Sequence, residues 1–143
     1  MTARPILAVD VGSVRLGIAV SADRDLPAVP LTTLTHTSRA KDVAALITLA
    51  RERGAETIVV GYPLRLDGSR GPAAANVDRF IEALRSAFDG EVVAVDERLT
   101  TAAADARLRE TGLRASQRRV VVDRVAAVEI LESYRARLRQ RGH

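Results

Sequence analysis

The sequence predicts an α/β fold in which a mixed five-stranded sheet carries helices on both faces. Short apolar runs typical of buried strands alternate with longer segments whose apolar residues recur at helical spacing. The first three runs follow one another without a helix, which favours an antiparallel meander. The later alternation of strands and helices requires parallel strands joined by crossover helices. The length is that of one domain, so we expect residues 1–143 to form a single unit.

A three-stranded meander is predicted at the start of the chain. Residues 6–9 form an apolar run that leads to Asp10, and residues 16–20 form a second run. The segment 12–15 (Gly-Ser-Val-Arg) separates the two runs, which is typical of a hairpin. A third strand is expected over Leu31–Leu34, because two prolines precede this stretch and polar residues follow it.

Helices and strands alternate in the rest of the chain. Apolar residues at helical spacing predict a helix over 39–53, which Gly54 ends. A buried strand over 57–60 follows. The segment 61–72 is rich in glycine and proline, so it is predicted to be a loop, and it leads into a helix over 73–88.

The last strand and two helices complete the prediction. Residues 92–95 form a buried strand. Thr100 or Thr101 can cap a helix that Gly112 ends. The final helix is expected over 116–139, where apolar residues again recur at helical spacing.

Composition excludes several classes of protein and site. The chain has no cysteine, which excludes disulfides, thiolate metal ligands and a cysteine nucleophile. No apolar run approaches the roughly 20 residues that span a membrane, so we expect a soluble, cytoplasmic protein with no membrane partner. Two tyrosines and two phenylalanines are too few for a base-stacking platform. Any nucleic-acid binding is therefore expected to rely on the phosphate backbone.

Positive charge is concentrated at the end of the chain. The formal net charge is +4, and residues 114–143 carry eight arginines against three acids. A basic segment on a nearly neutral body suggests a polyanionic partner such as nucleic acid. A solvated helix whose arginine-rich end complements the helix dipole explains the same pattern equally well.

Two acids follow predicted strands at the place where α/β sheets bind ligands. Asp10 ends the first strand and Glu97 follows the last one. Ligands of open α/β sheets gather at the carboxyl ends of the parallel strands, so both carboxylates are candidates for one crevice. Acids are also common in turns after strands, so neither residue is diagnostic by itself.

A third acid occupies the apolar side of the last predicted helix. At about 100° per residue, Asp123 shares one side of this helix with Ala127, Ile130 and Tyr134. Burying a carboxylate on that side lowers the stability of the fold by several kcal/mol unless the carboxylate is paired. It would either meet an arginine in a structural ion pair or face other carboxylates across a bound cation.

A bound cation reconciles three convergent acids, which would otherwise repel one another. Mg²⁺ and Mn²⁺ prefer such oxygen ligands. Two of these ions about 3.5–4 Å apart can clamp a phosphodiester, one activating water and the other stabilising the leaving oxygen. Asp10, Glu97 and Asp123 would then be the metal ligands and catalytic residues of a nuclease.

Four motifs, which follow one another over nearly the whole chain, carry a resemblance to a known family: Asp10-Val11-Gly12 with Arg15 and Gly17, Val60-Gly61-Tyr62-Pro63-Leu64 followed by Asp67-Gly68-Ser69, Asp96-Glu97-Arg98-Leu99-Thr100-Thr101, and Asp123 ahead of Ala126-Ala127-Val128-Glu129-Ile130-Leu131. Together they resemble the YqgF (RuvX) family. Its members are RNase H-like proteins related to Holliday-junction resolvases. No single motif would suffice, because an Asp-x-Gly followed by glycine is common to many phosphate-handling folds.

The resemblance implies an RNase H-like fold and a metal-dependent nuclease in a bacterial cytoplasm, acting on the RNA precursor of the small ribosomal subunit. The family's acidic triad falls on Asp10, Glu97 and Asp123. Tyr62 stands where many members carry leucine. Arg124 stands where a small serine is common, and its long cationic side chain would either contact substrate or weaken binding of the ion.

Five arginines are candidate contacts to nucleic acid: Arg15, Arg98, Arg118, Arg119 and Arg124. Arg98 would bind the scissile phosphate or pair with the neighbouring Asp96. Arg15 would touch substrate or be an ordinary exposed hairpin residue. The pair at 118–119 opens the last helix, where positive charge opposes the helix dipole, which favours a phosphate contact.

The predicted loop after residue 60 is a candidate cover for the substrate. Its candidate residues are Gly61, Asp67 and Gly68. The loop lacks the Gly-Lys-Ser/Thr signature of a nucleotide-binding P-loop.

Three alternative functions remain open. The chain could be a non-catalytic nucleic-acid-binding module, or a resolvase that cuts DNA junctions. A resolvase needs two active sites, which a homodimer would supply. Nothing in the sequence marks a dimer interface, so the expectation includes both a monomer and a homodimer. An actin-like or sugar-kinase-like ATPase fits the segment from Asp10 to Gly17, but such enzymes close two lobes over the nucleotide and 143 residues supply one.

Overall fold

The computed structural model describes residues 4–64, 67–96 and 115–141, with the side chains of residues 125–140 in the last range. The described elements are β1 (Ile6–Val11), β2 (Arg15–Ser21), β3 (Val29–Thr35), α1 (Arg39–Arg53), β4 (Thr57–Tyr62), α2 (Pro72–Ala87), β5 (Glu91–Asp96) and α3 (Ala115–Arg141). The helix predicted to begin at Thr100 or Thr101 lies outside the described residues.

The sheet has the predicted mixed topology. Its strand order is β3-β2-β1-β4-β5. Strand β2 pairs antiparallel with β1 and β3, whereas β1, β4 and β5 are parallel. The parallel arrangement brings the carboxyl ends of β1, β4 and β5 to one edge of the sheet, and β1 is the central strand of the five.

A tight turn closes the first hairpin. The Gly12 amide donates to the Arg15 carbonyl at 2.9 Å. A Cβ atom on residue 12 would stand 2.4 Å from that carbonyl oxygen, closer than any side chain tolerates. Glycine is therefore required here to turn the chain directly after β1.

Strand β3 begins earlier than predicted, at Val29 rather than Leu31, and it includes Pro30. The sheet tolerates this proline because β3 is an edge strand, where an absent amide need not break a ladder on both sides. The pairing shifts from Ile18–Thr32 to Ala19–Pro30, so Leu31 is the extra residue of a bulge.

Each face of the sheet has its own apolar core. One lies beneath α1 and α2 and includes Leu7, Val9, Leu16, Ile18, Leu46, Ile58, Val60, Val77, Phe80 and Leu84. The other lies beneath α3 and includes Ile6, Ala8, Ala19, Val59, Val95, Ala127, Ile130, Leu131 and Tyr134. Helices therefore cover both faces, as the sequence predicts.

The start of α1 is held by side chains of residues 36–42. The Ser38 hydroxyl accepts a hydrogen bond from the Lys41 amide at 3.2 Å and caps the helix. The buried Asp42 carboxylate accepts from the Thr37 amide at 3.1 Å and contacts Nδ1 of His36. This histidine therefore has a structural partner that the sequence pattern did not reveal.

The C-terminal half of α3 lies at the amino ends of the parallel strands. Tyr134 lines a cavity of about 220 Å³ together with Ile6, Thr57 and Glu91, which are at the beginnings of β1, β4 and β5. Burial raises the pKa of the Tyr134 phenol, and the nearby Glu91 carboxylate adds to this effect. Buried Arg135 secures this end further, because its Nε donates to the Arg24 carbonyl at 3.0 Å.

None of the helices in the described part of the chain is both long and apolar enough to cross a membrane.

Candidate functional site

Asp10 lies near the end of β1, on the face that α3 covers. Side chains alternate between the two faces of a strand. Ile6 and Ala8 belong to the core beneath α3, whereas Leu7 and Val9 belong to the opposite core. Asp10 continues the first of these rows. It is only partly buried at the edge of the sheet.

Glycine flanks Asp10 on both neighbouring strands. Gly17 is its partner on β2. On the other side, Val9 is in register with Val60, so the next residue of β4, Gly61, lies beside Asp10. Both glycines are buried, so backbone without a side chain stands on either side of Asp10 in this row. The next residue of the row, on β5, is Val95, which pairs with Gly61.

Helix α3 extends from the amino ends of the strands toward Asp10. From Tyr134 back to residue 123 the helix spans eleven residues, or about 16 Å. From Ile6 to Asp10 the strand spans four residues, or about 13 Å. These distances place the backbone of residue 123 close to the level of Asp10 along the sheet. The side chain of Asp123 lies outside the described part of the structure.

The remaining predicted metal ligand, Glu97, also lies outside the described residues, one position after the end of β5. Strand β5 ends at Asp96, which pairs with Tyr62 at the end of β4. Within the described ranges, no group of three His, Asp or Glu side chains forms a metal-binding cluster. The predicted triad therefore remains a prediction in all three of its members, and the structure gives only the position of Asp10.

The candidate arginines differ in how far the structure describes them. Arg15 is the first residue of β2, partly buried, and lies in the row of Gly17 and Ala19 that faces α3. It therefore lies on the same face of the sheet as Asp10. Arg98 is outside the described residues. The helix α3 carries the other three, at positions 118, 119 and 124, but their side chains are not described.

The loop after β4 is organised by a local turn. Asp67 Oδ1 accepts from the Ser69 amide at 2.9 Å and from the Ser69 hydroxyl at 2.6 Å. Gly68 adopts a φ of 88°, a conformation that favours glycine. The geometry gives both Asp67 and Gly68 a role in shaping the loop, whereas a contact with substrate remains a prediction. Gly61 was wrongly predicted to belong to the loop, because β4 continues to Tyr62 through its pairing with β5.

The sequence interpretation missed a groove at the same end of the sheet. It has a volume of about 460 Å³, and Tyr62, Arg79 and Arg85 are among its lining residues. Helix α2 and the edge strand β5 form it together, so no local pattern in the sequence announces it. Its arginines, at positions 70, 79 and 85, are spread over sixteen residues and form no motif in the sequence.

Solved structures with the same fold include RuvC and a viral Holliday junction resolvase. RuvC from Thermus thermophilus has a TM-score of 0.56 at 14% identity, covering 94% of this chain and 96% of that one. The fowlpox virus Holliday junction resolvase has a TM-score of 0.58 at 13% identity, covering 94% and 99%. Identities this low show the fold alone. The class that they define is therefore one of fold: this chain has the RNase H-like α/β fold of these resolvases.

Sequence comparison identifies the family within this class. The family model described as RuvX, Holliday junction resolvase, matches residues 4–137. A Chloroflexus aurantiacus protein is 43% identical over 129 residues, covering 90% of this chain and 84% of the relative. A Clostridium perfringens protein is 38% identical over 133 residues, covering 93% and 97%. Both are named as candidate pre-16S rRNA nucleases. The chain belongs to the RuvX family.

Proposed function

We propose that this nuclease hydrolyses phosphodiester bonds with the help of a divalent metal ion and processes the 5′ end of the 16S rRNA precursor in the cytoplasm. The observation that carries the proposal is the position of Asp10. It lies at the carboxyl edge of the parallel strands, between two glycines, on the face covered by α3. The naming of the relatives as candidate pre-16S rRNA nucleases supports the choice of substrate.

Carboxylate oxygens at this edge fit a hard divalent cation. Mg²⁺ prefers carboxylate oxygens and keeps several waters when bound, and glycines rather than bulky side chains stand beside Asp10 on both neighbouring strands. Asp10, Glu97 and Asp123 would hold the ions. When bound, Mg²⁺ or Mn²⁺ would lower the pKa of a coordinated water and stabilise charge on the leaving oxygen.

The arginines of the chain would bind and orient the substrate. Arg15 shares the face of Asp10, so it would contact phosphates next to the cleaved bond. Arg118, Arg119 and Arg124 occur in the half of α3 that extends toward the same edge. Guanidinium groups form bidentate contacts with phosphate, which hold the backbone without reading sequence.

A second candidate substrate is a DNA four-way junction. The description of the family model and the fold shared with RuvC favour it. A junction resolvase cuts two strands, so this activity would require a homodimer. Cleavage of a labelled four-way junction, with the oligomeric state measured in parallel, separates this candidate from the RNA nuclease.

Metal-dependent cleavage is the first test of the proposal. The purified chain is incubated with an end-labelled RNA that carries the 5′ leader of 16S rRNA, in Mg²⁺, in Mn²⁺ and in EDTA. We expect cleavage in both metals, with 5′-phosphate and 3′-hydroxyl products, and none in EDTA. Equal cleavage in EDTA would contradict the metal-dependent mechanism, because the carboxylates alone supply no activated water.

A further inference from the structure

A groove opens between α2 and the ends of β4 and β5. Tyr62, Arg70, Arg79 and Arg85 are among its lining residues. Tyr62 packs against the core beneath α1 and α2, whereas Asp10 lies on the α3 face. Both residues are near the carboxyl ends of adjacent parallel strands, which are about 4.8 Å apart. The groove therefore begins where a strand bound at Asp10 would leave the sheet edge.

Three arginines and the acids Asp78 and Glu82 line this groove, and Arg79 is the arginine that has no partner among the described residues. Arg70 pairs with Asp78. Arg85 donates from its guanidinium to the Val92 carbonyl at 3.0 Å, which covers the edge of β5. Arg79 is exposed, and within the described residues it makes no hydrogen bond or ion pair. A phosphate group is the natural partner for a free guanidinium at this position.

The Tyr62 ring offers an apolar surface beside that cation. The residue is half-buried, so part of its side chain is accessible in the groove. Phe80 and Tyr134 are buried in the two cores and are not available in the same way. Purine and pyrimidine bases both stack on an exposed aromatic ring, so this contact does not depend on the nucleotide sequence. The accessible part of the Tyr62 ring is enough for one base, which the low aromatic content had led us not to expect.

The size of the groove limits what it can hold. A volume of about 460 Å³ falls within the range of pockets that enclose a single small ligand. A duplex is far wider, and its bases are stacked inside the helix where the Tyr62 ring cannot reach them. The groove therefore fits an unpaired nucleotide.

We infer that the Tyr62 groove binds one unpaired nucleotide of the RNA strand beside the cleavage site, with its base on the Tyr62 ring and its phosphate on Arg79. The assignment of the cleavage site rests on the function proposed above. Binding in the groove does not, because it requires neither a metal ion nor hydrolysis. The enzyme would thereby favour substrates with an unpaired flank over blunt duplexes.

Binding to short RNAs in EDTA tests this inference without cleavage. A labelled single-stranded RNA of about ten nucleotides and a blunt duplex of the same sequence are titrated with the full chain by fluorescence anisotropy. Tyr62→Leu is expected to weaken single-strand binding about tenfold, and Tyr62→Phe to change it less than about twofold. Neither variant should change binding to the duplex. Melting temperatures verify that each variant is folded.

Arginine variants provide a second test that does not disturb the core. Arg79→Gln should weaken single-strand binding and reduce the slope of log affinity against log salt by about one. Arg51→Gln is the matched control, because Arg51 is exposed in the last turn of α1, away from the groove. Its affinity should equal that of the wild type.

The inference is overturned if Tyr62→Leu and Arg79→Gln bind single-stranded RNA as tightly as the wild type. It is also overturned if Tyr62→Phe loses as much affinity as Tyr62→Leu, or if duplex binding falls equally. If the groove binds no nucleotide, the protein would still cleave RNA. If the protein is not a nuclease, the differences in RNA binding between the variants would still be measured.

Discussion

Replacing Asp10 with asparagine is expected to reduce RNA cleavage by at least about 100-fold. Replacing a residue that only hydrogen-bonds to a metal ligand typically lowers metal affinity or activity 10- to 100-fold. Asp10 is proposed as a direct ligand, so its loss should cost more. The amide has nearly the same shape as the carboxylate but no charge, so it binds a hard cation far more weakly. RNA affinity in EDTA should be retained, because the arginines that hold the phosphates are unchanged. Single-turnover cleavage and anisotropy measure the two effects.

Asp25→Asn is the matched control for this substitution. Asp25 is exposed in the segment after β2, at the opposite end of the sheet from Asp10. The control should cleave at the wild-type rate. If Asp10→Asn also cleaves at that rate after rigorous purification, the activity belongs to a contaminant and the chain is a non-catalytic nucleic-acid-binding module.

Truncation of Ile130 to alanine is expected to lower the free energy of unfolding by about 2–5 kcal/mol. Ile130 is fully buried in the core between α3 and the sheet. The substitution removes three carbon atoms and leaves a cavity that the surrounding strands cannot fill without moving. Urea denaturation followed by circular dichroism measures the loss as a shift of the midpoint at constant slope.

Gln140→Ala is the control for the same helix. Gln140 is exposed near the end of α3, and its replacement should change stability by less than about 0.5 kcal/mol. A similarly small effect for Ile130→Ala would mean that α3 is not docked on the sheet in solution. The helix would then be unable to hold position 123 beside the end of β1.

The alternation of strands and helices was predictable from the sequence, because it depends on local periodicity. The helix over 39–53 matches α1, and the strands beginning near Ile6 and Thr57 match β1 and β4. The start of β3 was predicted wrongly. Proline usually ends a strand, and only the edge position and the bulge at Leu31 make it acceptable there.

Parts of the candidate site were predictable and parts were not. Asp10 was predicted because an acid that directly follows an apolar run can be recognised in the sequence itself. The positions of Gly17 and Gly61 on either side of it depend on strand register, which a sequence does not display. The groove at Tyr62 requires the packing of α2 against β5, and the partnership of His36 with Asp42 depends on how β3 meets α1.

The central claim is that Asp10 holds a catalytic cation together with Glu97 and Asp123. A crystal structure of the protein soaked in Mn²⁺, with anomalous diffraction measured to locate the metal, tests it most directly. We predict a manganese peak about 2.1 Å from a carboxylate oxygen of Asp10, with Glu97 and Asp123 among its other ligands. Density without manganese at Asp10, and with Asp123 paired to an arginine away from the sheet edge, would contradict the claim.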